Sequence, residues 1–176
     1  MSAKKLSFCA MSIAMAAVTS MIRLYRFPFG GSVTLLSMLF VMLPAWLYGV
    51  REGVICGLLY GILQYFMGPC FISVPQFLLD YVLAFSVMGI AGLWKDRKHG
   101  LLIGYGAAVV ARWIVATAAG MVWVSLGYSA WEGWSPLPYS MVYNAAYIFA
   151  EGILTEILLL IAPVAKALQA VKEKSR

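Results

Sequence analysis

The stretch VPQFLLDYVLAFSVMGIAGLW at residues 74–94, followed at once by KDRK at 95–98, decides the fold class. About 20 mostly apolar residues, rising ~1.5 Å each, cross a hydrocarbon core ~30 Å thick. This run has that length, carries one acid, Asp80, and stops at a basic cluster of the kind retained on the cytoplasmic side. Working outward, five more apolar runs lie at about 6–22, 32–48, 53–67, 101–124 and 137–164. Composition agrees: 63% of the 176 residues are hydrophobic and 11% are charged, with a mean hydropathy of +0.88. Soluble domains are about 45–50% apolar and about 25% charged. A soluble enzyme, a disordered regulator and a disulfide scaffold are therefore excluded. The chain reads as an all-α integral membrane protein, a six-transmembrane-helix bundle forming a single domain over residues 1–176.

Charge position sets the orientation. With the N-terminus inside, ten Lys and Arg side chains from Lys4 to Arg176 are cytoplasmic, against Arg23 and Arg26 outside. This asymmetry predicts an N-in/C-in topology with outer connections at 24–31, 68–73 and 125–136. The run at 6–22 also fits a signal-peptide template ending near Ala14-Met15-Ala16, but the hydrophobicity of the remaining chain favours a retained first helix. The net charge of +6 is accordingly a topological signal, and no basic stripe interleaved with aromatics points to nucleic acid. Cys9, Cys56 and Cys70 lie in or beside apolar runs and read as packing residues. His99, in a basic loop, reads as solvated.

Small residues mark close helix approaches. Gly53, Gly57 and Gly61 repeat every four positions, and Ser7, Ala10, Ala14 and Ala17 form a stripe on the first helix. Such patterns allow backbones to pack in lipid. The glycines suit packing within the chain. Ala10 and Ala14 suit either that or the docking of a separate subunit.

Four ionisable residues fall inside spans: Asp80, Arg112, Glu151 and Glu156. Each is expensive there and marks a site or an internal pair. Asp80 lies ~9 Å below the outer end of its helix. Asn144 has a similar depth, near Tyr139, Tyr143 and Tyr147, while Tyr60, Gly120 and Trp123 share the layer. A carboxylate among aromatic faces suits an organic cation, through charge and ring quadrupoles together. An amide edge suits a heterocycle. Pairing of Asp80 with Arg112, an interfacial aromatic belt, and Asn144 as interhelical glue are the structural alternatives. Arg112 is expected to pair with Glu151 or Glu156, since an unpaired buried charge is strongly destabilising. A proton relay is the sharper alternative. The spans hold no nucleophile–base set, no HExxH and no carboxylate cluster for a metal, and the chain has no P-loop. Binding, with no cofactor, is favoured over catalysis.

The residues also resemble a known family. Gly30-Gly31-Ser32-Val33-Thr34-Leu35, Gln76-Phe77-Leu78-Leu79-Asp80-Tyr81-Val82-Leu83-Ala84-Phe85, Gly89-Ile90-Ala91-Gly92-Leu93, and Tyr139-Ser140 with Tyr143-Asn144 are similar to the ThiT family. These are thiamine-specific substrate-binding (S) components of energy-coupling-factor transporters in prokaryotic plasma membranes. The likeness covers almost the whole chain in the same order. It implies a multi-pass S-component fold that captures thiamine or a thiamine-like molecule outside. A transmembrane coupling subunit and two ATPase subunits then drive transport. By this resemblance Asp80 faces the thiazolium and Tyr81 is its neighbouring aromatic. Tyr139 and Asn144 contact ligand, Tyr60 is an aromatic position and Gly120 a close-approach position. Trp123 falls at or one residue from a stacking aromatic. Gly31 and Ser32 would help cover the pocket, and Ala10 and Ala14 fit the AxxxA docking pattern. Two positions depart from the family. Ala116 stands where a His is usual, and Tyr128-Ser129-Ala130-Trp131-Glu132-Gly133 replaces a YAPEG loop. Ala116 is expected to leave room in the pocket, which keeps a thiamine precursor or another aromatic vitamin open as ligand. A small intramembrane enzyme and a purely structural membrane protein are the other classes.

Overall fold

The computed structural model describes residues 2–68, 72–128 and 131–175. Each apolar run contains a helix. These are α1 (Ala3–Met21), α2 (Ser37–Tyr48), α3 (Val50–Met67), α4 (Val74–Trp94), α5 (Gly100–Ser125) and α6 (Pro136–Leu160). A further helix, α7 (Ala162–Ser175), follows. Of these, α4, α5 and α6 are long and apolar enough to cross a membrane. Cys70, Ser129 and Ala130 lie outside the described residues.

Helix α2 is the centre of the molecule. Its residues from Ser37 to Leu47 are buried on nearly every side, as expected of a helix that is apolar all round. Around it pack α1, α3, α4 and α5. The glycines of α3 face inward, where Gly53 meets Ala45 and Gly89, Gly57 meets the Phe85 carbonyl, and Gly61 meets the Tyr81 carbonyl. A methyl group at Gly53 would strike α2 first, and one at Gly57 or Gly61 would drive α4 away, so this stripe packs within the chain. The small residues of α1 divide instead. Cys9, Ser12 and Ala16 are buried, whereas Ser7, Ala10 and Ala14 are exposed on the outer face.

Three local features differ from the sequence reading. The connection expected at 24–31 is half of an antiparallel hairpin, in which β1 (Arg23–Arg26) pairs with β2 (Ser32–Thr34) around a tight turn at Pro28–Gly30. The run at 32–48 therefore opens as a strand. β-Branched Val33 and Thr34 favour extension, and Leu36 adopts a left-handed φ of 64° before α2 begins. The run at 137–164 is broken at Ile161, which turns extended (φ −70°, ψ 116°). Pro163 has no N–H to continue a helix and its ring would strike the carbonyl four residues back. Beyond the break, α7 packs Val164 and Leu168 on the core. The Lys172 amine lies 4.4 Å from the centre of the Trp46 ring and donates to the Lys95 carbonyl.

Helix α4 is itself irregular. Ser73 caps it by accepting from the Gln76 N–H at 3.3 Å. Residues Leu78–Leu83 form a wide π turn, and Val87–Trp94 tighten to 3-10 geometry. Isolated π turns re-aim side chains and often sit at functional sites. This one carries Asp80 and Tyr81.

Candidate ligand-binding site

The hairpin roofs a cavity of about 220 Å³ walled by α3, α4, α5 and α6. Tyr60, Asp80, Tyr81, Gly120, Trp123, Tyr139 and Asn144, picked out in the sequence on four different helices, all line this one space.

Asp80 is turned into the cavity and held from two sides. Its Oδ2 accepts from Gln76 Nε2 at 2.9 Å and from Trp123 Nε1 at 2.8 Å. Gln76 is one helical turn back on the same face, buried to 1% exposure. Among the described residues no arginine is within ion-pair distance of Asp80, and both of its hydrogen bonds go to Oδ2. Tyr81 joins a ring cluster, with centroids 5.3 Å from Tyr65 and 5.8 Å from Phe77. Tyr60 is fully buried, edge-on to Phe85 at 4.9 Å, and its hydroxyl accepts from Gln64. Tyr139 stacks on Tyr143 with an interplanar angle of 8°.

Asn144 is an interhelical tie as well as a lining residue. Its Nδ2 donates to the Ala116 carbonyl at 3.1 Å and to the Ser140 carbonyl at 2.8 Å, and its Oδ1 accepts from Tyr147 at 2.7 Å. Both N–H donors are thus used, and one lone pair on Oδ1 is left. A side chain at Gly120 would meet Ser140 Oγ and Asn144 Nδ2 at 2.8 and 2.9 Å. Glycine there lets α5 and α6 close on each other.

The ion pair expected between Arg112 and Glu151 or Glu156 is not formed. Among the described residues neither glutamate is within ion-pair distance of Arg112. The guanidinium lies over the Phe85 ring, 4.5 Å from its centre, and lines the cavity. Glu151 is engaged elsewhere, accepting from Thr34 and Ser37 side chains and from the Thr34 and Met38 N–H groups. The room expected beside Ala116 is absent too, because Ala116 is 3% exposed in the packed core and does not line the cavity.

Over the chamber, the Tyr143 hydroxyl donates to the Pro28 carbonyl and accepts from the Gly31 N–H at 3.1 Å. A Cβ on Gly31 would strike Tyr143 and Tyr147 within 3 Å, so glycine allows the roof to seat on α6. Phe29, with a left-handed φ of 59°, and Ser32 also line the cavity. Sequence reasoning gave no role to Gln76 or Phe29 and misassigned Glu151. Only Gln76 had a signal to follow, its four-residue spacing from Asp80.

Residues 6–171 match the model of a family described as thiamine transporter protein (Thia_YuaJ). The chain is 33% identical over 144 residues to thiamine transporter ThiT of Bacillus subtilis (strain 168), covering 75% of this chain and 74% of the relative. Its fold is similar to the solved structure of ThiT from Listeria monocytogenes. The TM-score is 0.73 at 27% identity, over 90% of this chain and 94% of that one.

Proposed function

The chain belongs to the thiamine transporter protein family, and from that membership we propose that it captures thiamine at the outer face of a prokaryotic plasma membrane. It acts as the S component of an energy-coupling-factor importer. It crosses the membrane six times with both termini inside, as one domain over residues 1–176. It performs no chemistry on its ligand. The cavity binds, the hairpin occludes, and partner ATPases drive reorientation through a coupling subunit that seats on Ala10 and Ala14.

The observation that carries this reading is the uncommitted Oδ1 of Asp80 beside aromatic faces inside a roofed cavity. Thiamine is a thiazolium cation joined to an aminopyrimidine. At 4 Å and an effective dielectric of 20, opposite unit charges attract by about 4 kcal/mol. The aromatic rings of Tyr81 and Trp123 add to that attraction. Asn144 can offer only an acceptor, which suits the exocyclic amine of the pyrimidine. Tyr60 and Tyr139 shape the walls, and Gly120 sets their spacing.

The test is titration of the purified chain with thiamine, followed by tryptophan fluorescence. Tight binding is expected, and Asp80→Asn, which keeps size but removes charge, should weaken it about a hundredfold or more. Unchanged affinity in that variant would dismiss the charge-recognition reading. Competition by the free pyrimidine moiety as effective as that by thiamine would instead favour a precursor as ligand.

A further inference from the structure

Glu151 lines the cavity yet is saturated by protein donors. Its side chain is buried to 3% exposure. Oε2 accepts from Thr34 N at 3.2 Å and Thr34 Oγ1 at 2.6 Å, and Oε1 accepts from Ser37 Oγ and Met38 N, both at 2.9 Å. A carboxylate has about four acceptor positions, so none is left for a ligand or for Arg112. These donors come from one short stretch, the end of β2 and the first turn of α2. The residue at the start of α2, Leu36, has no polar side chain to cap it and carries a left-handed backbone. Glu151 supplies that cap from across the molecule, placing negative charge where a helix N-terminus favours it.

The same face of α6 touches the hairpin at three successive turns. Glu151 holds the root, the Tyr147 ring lies 6.3 Å from the Phe27 ring at mid-height, and the Tyr143 hydroxyl engages the tip at Pro28 and Gly31. The two ends differ in strength. The root has four charge-assisted bonds out of reach of solvent, whereas the tip is held by one hydroxyl and by the Phe27 ring edge-on to Tyr143 at 6.1 Å. Bonds to charged groups are roughly twice as strong as neutral ones.

We propose that Glu151 is the positioning residue of the roof: its saturated carboxylate pins the hairpin root to α6, so that the hairpin opens at the Tyr143-held tip and returns to one register. Glu151 thereby governs how long a captured guest stays, whereas recognition of the guest's charge belongs to Asp80. The residence-time part rests on the capture reading above, but the anchoring part does not.

Two measurements separate these parts. The first needs no ligand. Val33→Cys places a thiol in β2 at the buried root, and it is read with Cys9 and Cys70 replaced by alanine. Native Cys56, buried in α3, reports global opening. With a membrane-impermeant maleimide, Glu151→Gln turns an amide N–H₂ toward donors and should raise Val33→Cys labelling about tenfold, leaving Cys56 protected. Tyr143→Phe, which loosens the tip alone, should leave Val33→Cys labelling unchanged. The second measurement is stopped-flow tryptophan fluorescence with thiamine. Glu151→Gln should speed dissociation about tenfold while association changes far less.

Unchanged root labelling in Glu151→Gln, or Cys56 exposed in parallel with Val33→Cys, would overturn the proposal. If Glu151→Gln fails to fold, the Thr34→Val/Ser37→Ala chain removes both hydroxyl donors and is read identically. Selective root labelling supports the anchor, and its absence overturns it. A chain that shows selective root labelling but never binds thiamine would retain the anchor and refute the capture reading.

Discussion

Asp80 reaches the cavity with its orientation already decided by neutral donors. Gln76 and Trp123 both bond Oδ2, which holds the carboxylate and, in the proposed capture of a cation, leaves Oδ1 for the guest. A donor that fixes a charged acceptor is worth about 1.5–3 kcal/mol. Trp123→Phe keeps most of the apolar ring but deletes the N–H, and should weaken thiamine binding about tenfold or more by isothermal titration calorimetry. An unchanged dissociation constant would show that Gln76 suffices. Although Tyr81 was reached only through the family resemblance, six of the seven lining residues were legible in sequence because depth along a helix follows from counting at ~1.5 Å per residue. Partnership was not. The cost of an unpaired buried charge pointed Arg112 to Glu151 or Glu156, but a side chain's direction around the helix and competing donors decide pairing. The donors that claim Glu151 come from Thr34, Ser37 and Met38, 113 to 117 residues earlier in the chain.

At the scale of elements, the spacing of α3 and α4 sets where Asp80 points. Gly61 lies against the carbonyl of Tyr81 inside the π turn, and Gly57 lies against that of Phe85. The backbones touch, so any Cβ at these glycines must displace the turn that aims the acid. Gly61→Ala should cost about 1–3 kcal/mol by overpacking. For a chain of this size that lowers the unfolding temperature by about 2–4 °C per kcal/mol. Scattering-detected melting in detergent would measure it, and thiamine affinity should fall in the same variant. A stable Gly61→Ala chain that binds normally would show that α4 is positioned by α5 instead. The glycine repeat and the six apolar runs were readable because both are local periodic signals. The π turn, the hairpin and the break at Ile161 were less so. The first two depend on contacts with α3 and α6, and the third on one proline in an otherwise apolar stretch.

On the scale of the whole molecule, α1 has one face packed on the bundle and one left exposed. Its inner face buries Cys9, Ser12, Ala16, Thr19 and Ser20 against the bundle, and the Tyr60 hydroxyl donates to the Ala16 carbonyl at 3.4 Å. At its N-terminal end Lys5 pairs with Glu52 at 3.1 Å. The outer face presents Ser7, Ala10 and Ala14 among exposed Met11, Met15 and Val18. Methyl groups at four-residue spacing leave a flat track on which another helix can approach closely, whereas lipid alone would be met as well by larger side chains. The cavity lies on the far side of this wall and shares none of these outward residues. Ala10→Trp and Ala14→Trp therefore separate the proposed docking from ligand binding, which loss of the fold would merge. The purified double variant should bind thiamine with affinity within about twofold of the parent, because substitutions on an exposed face usually change stability by no more than ~0.5 kcal/mol. Thiamine uptake by cells that supply the coupling subunit and ATPases should fall at least about tenfold, since two indoles hold the backbones apart where close packing drives association. Uptake equal to the parent's would move the docking surface off α1. Loss of binding together with uptake would mean that the outer face supports the cavity after all.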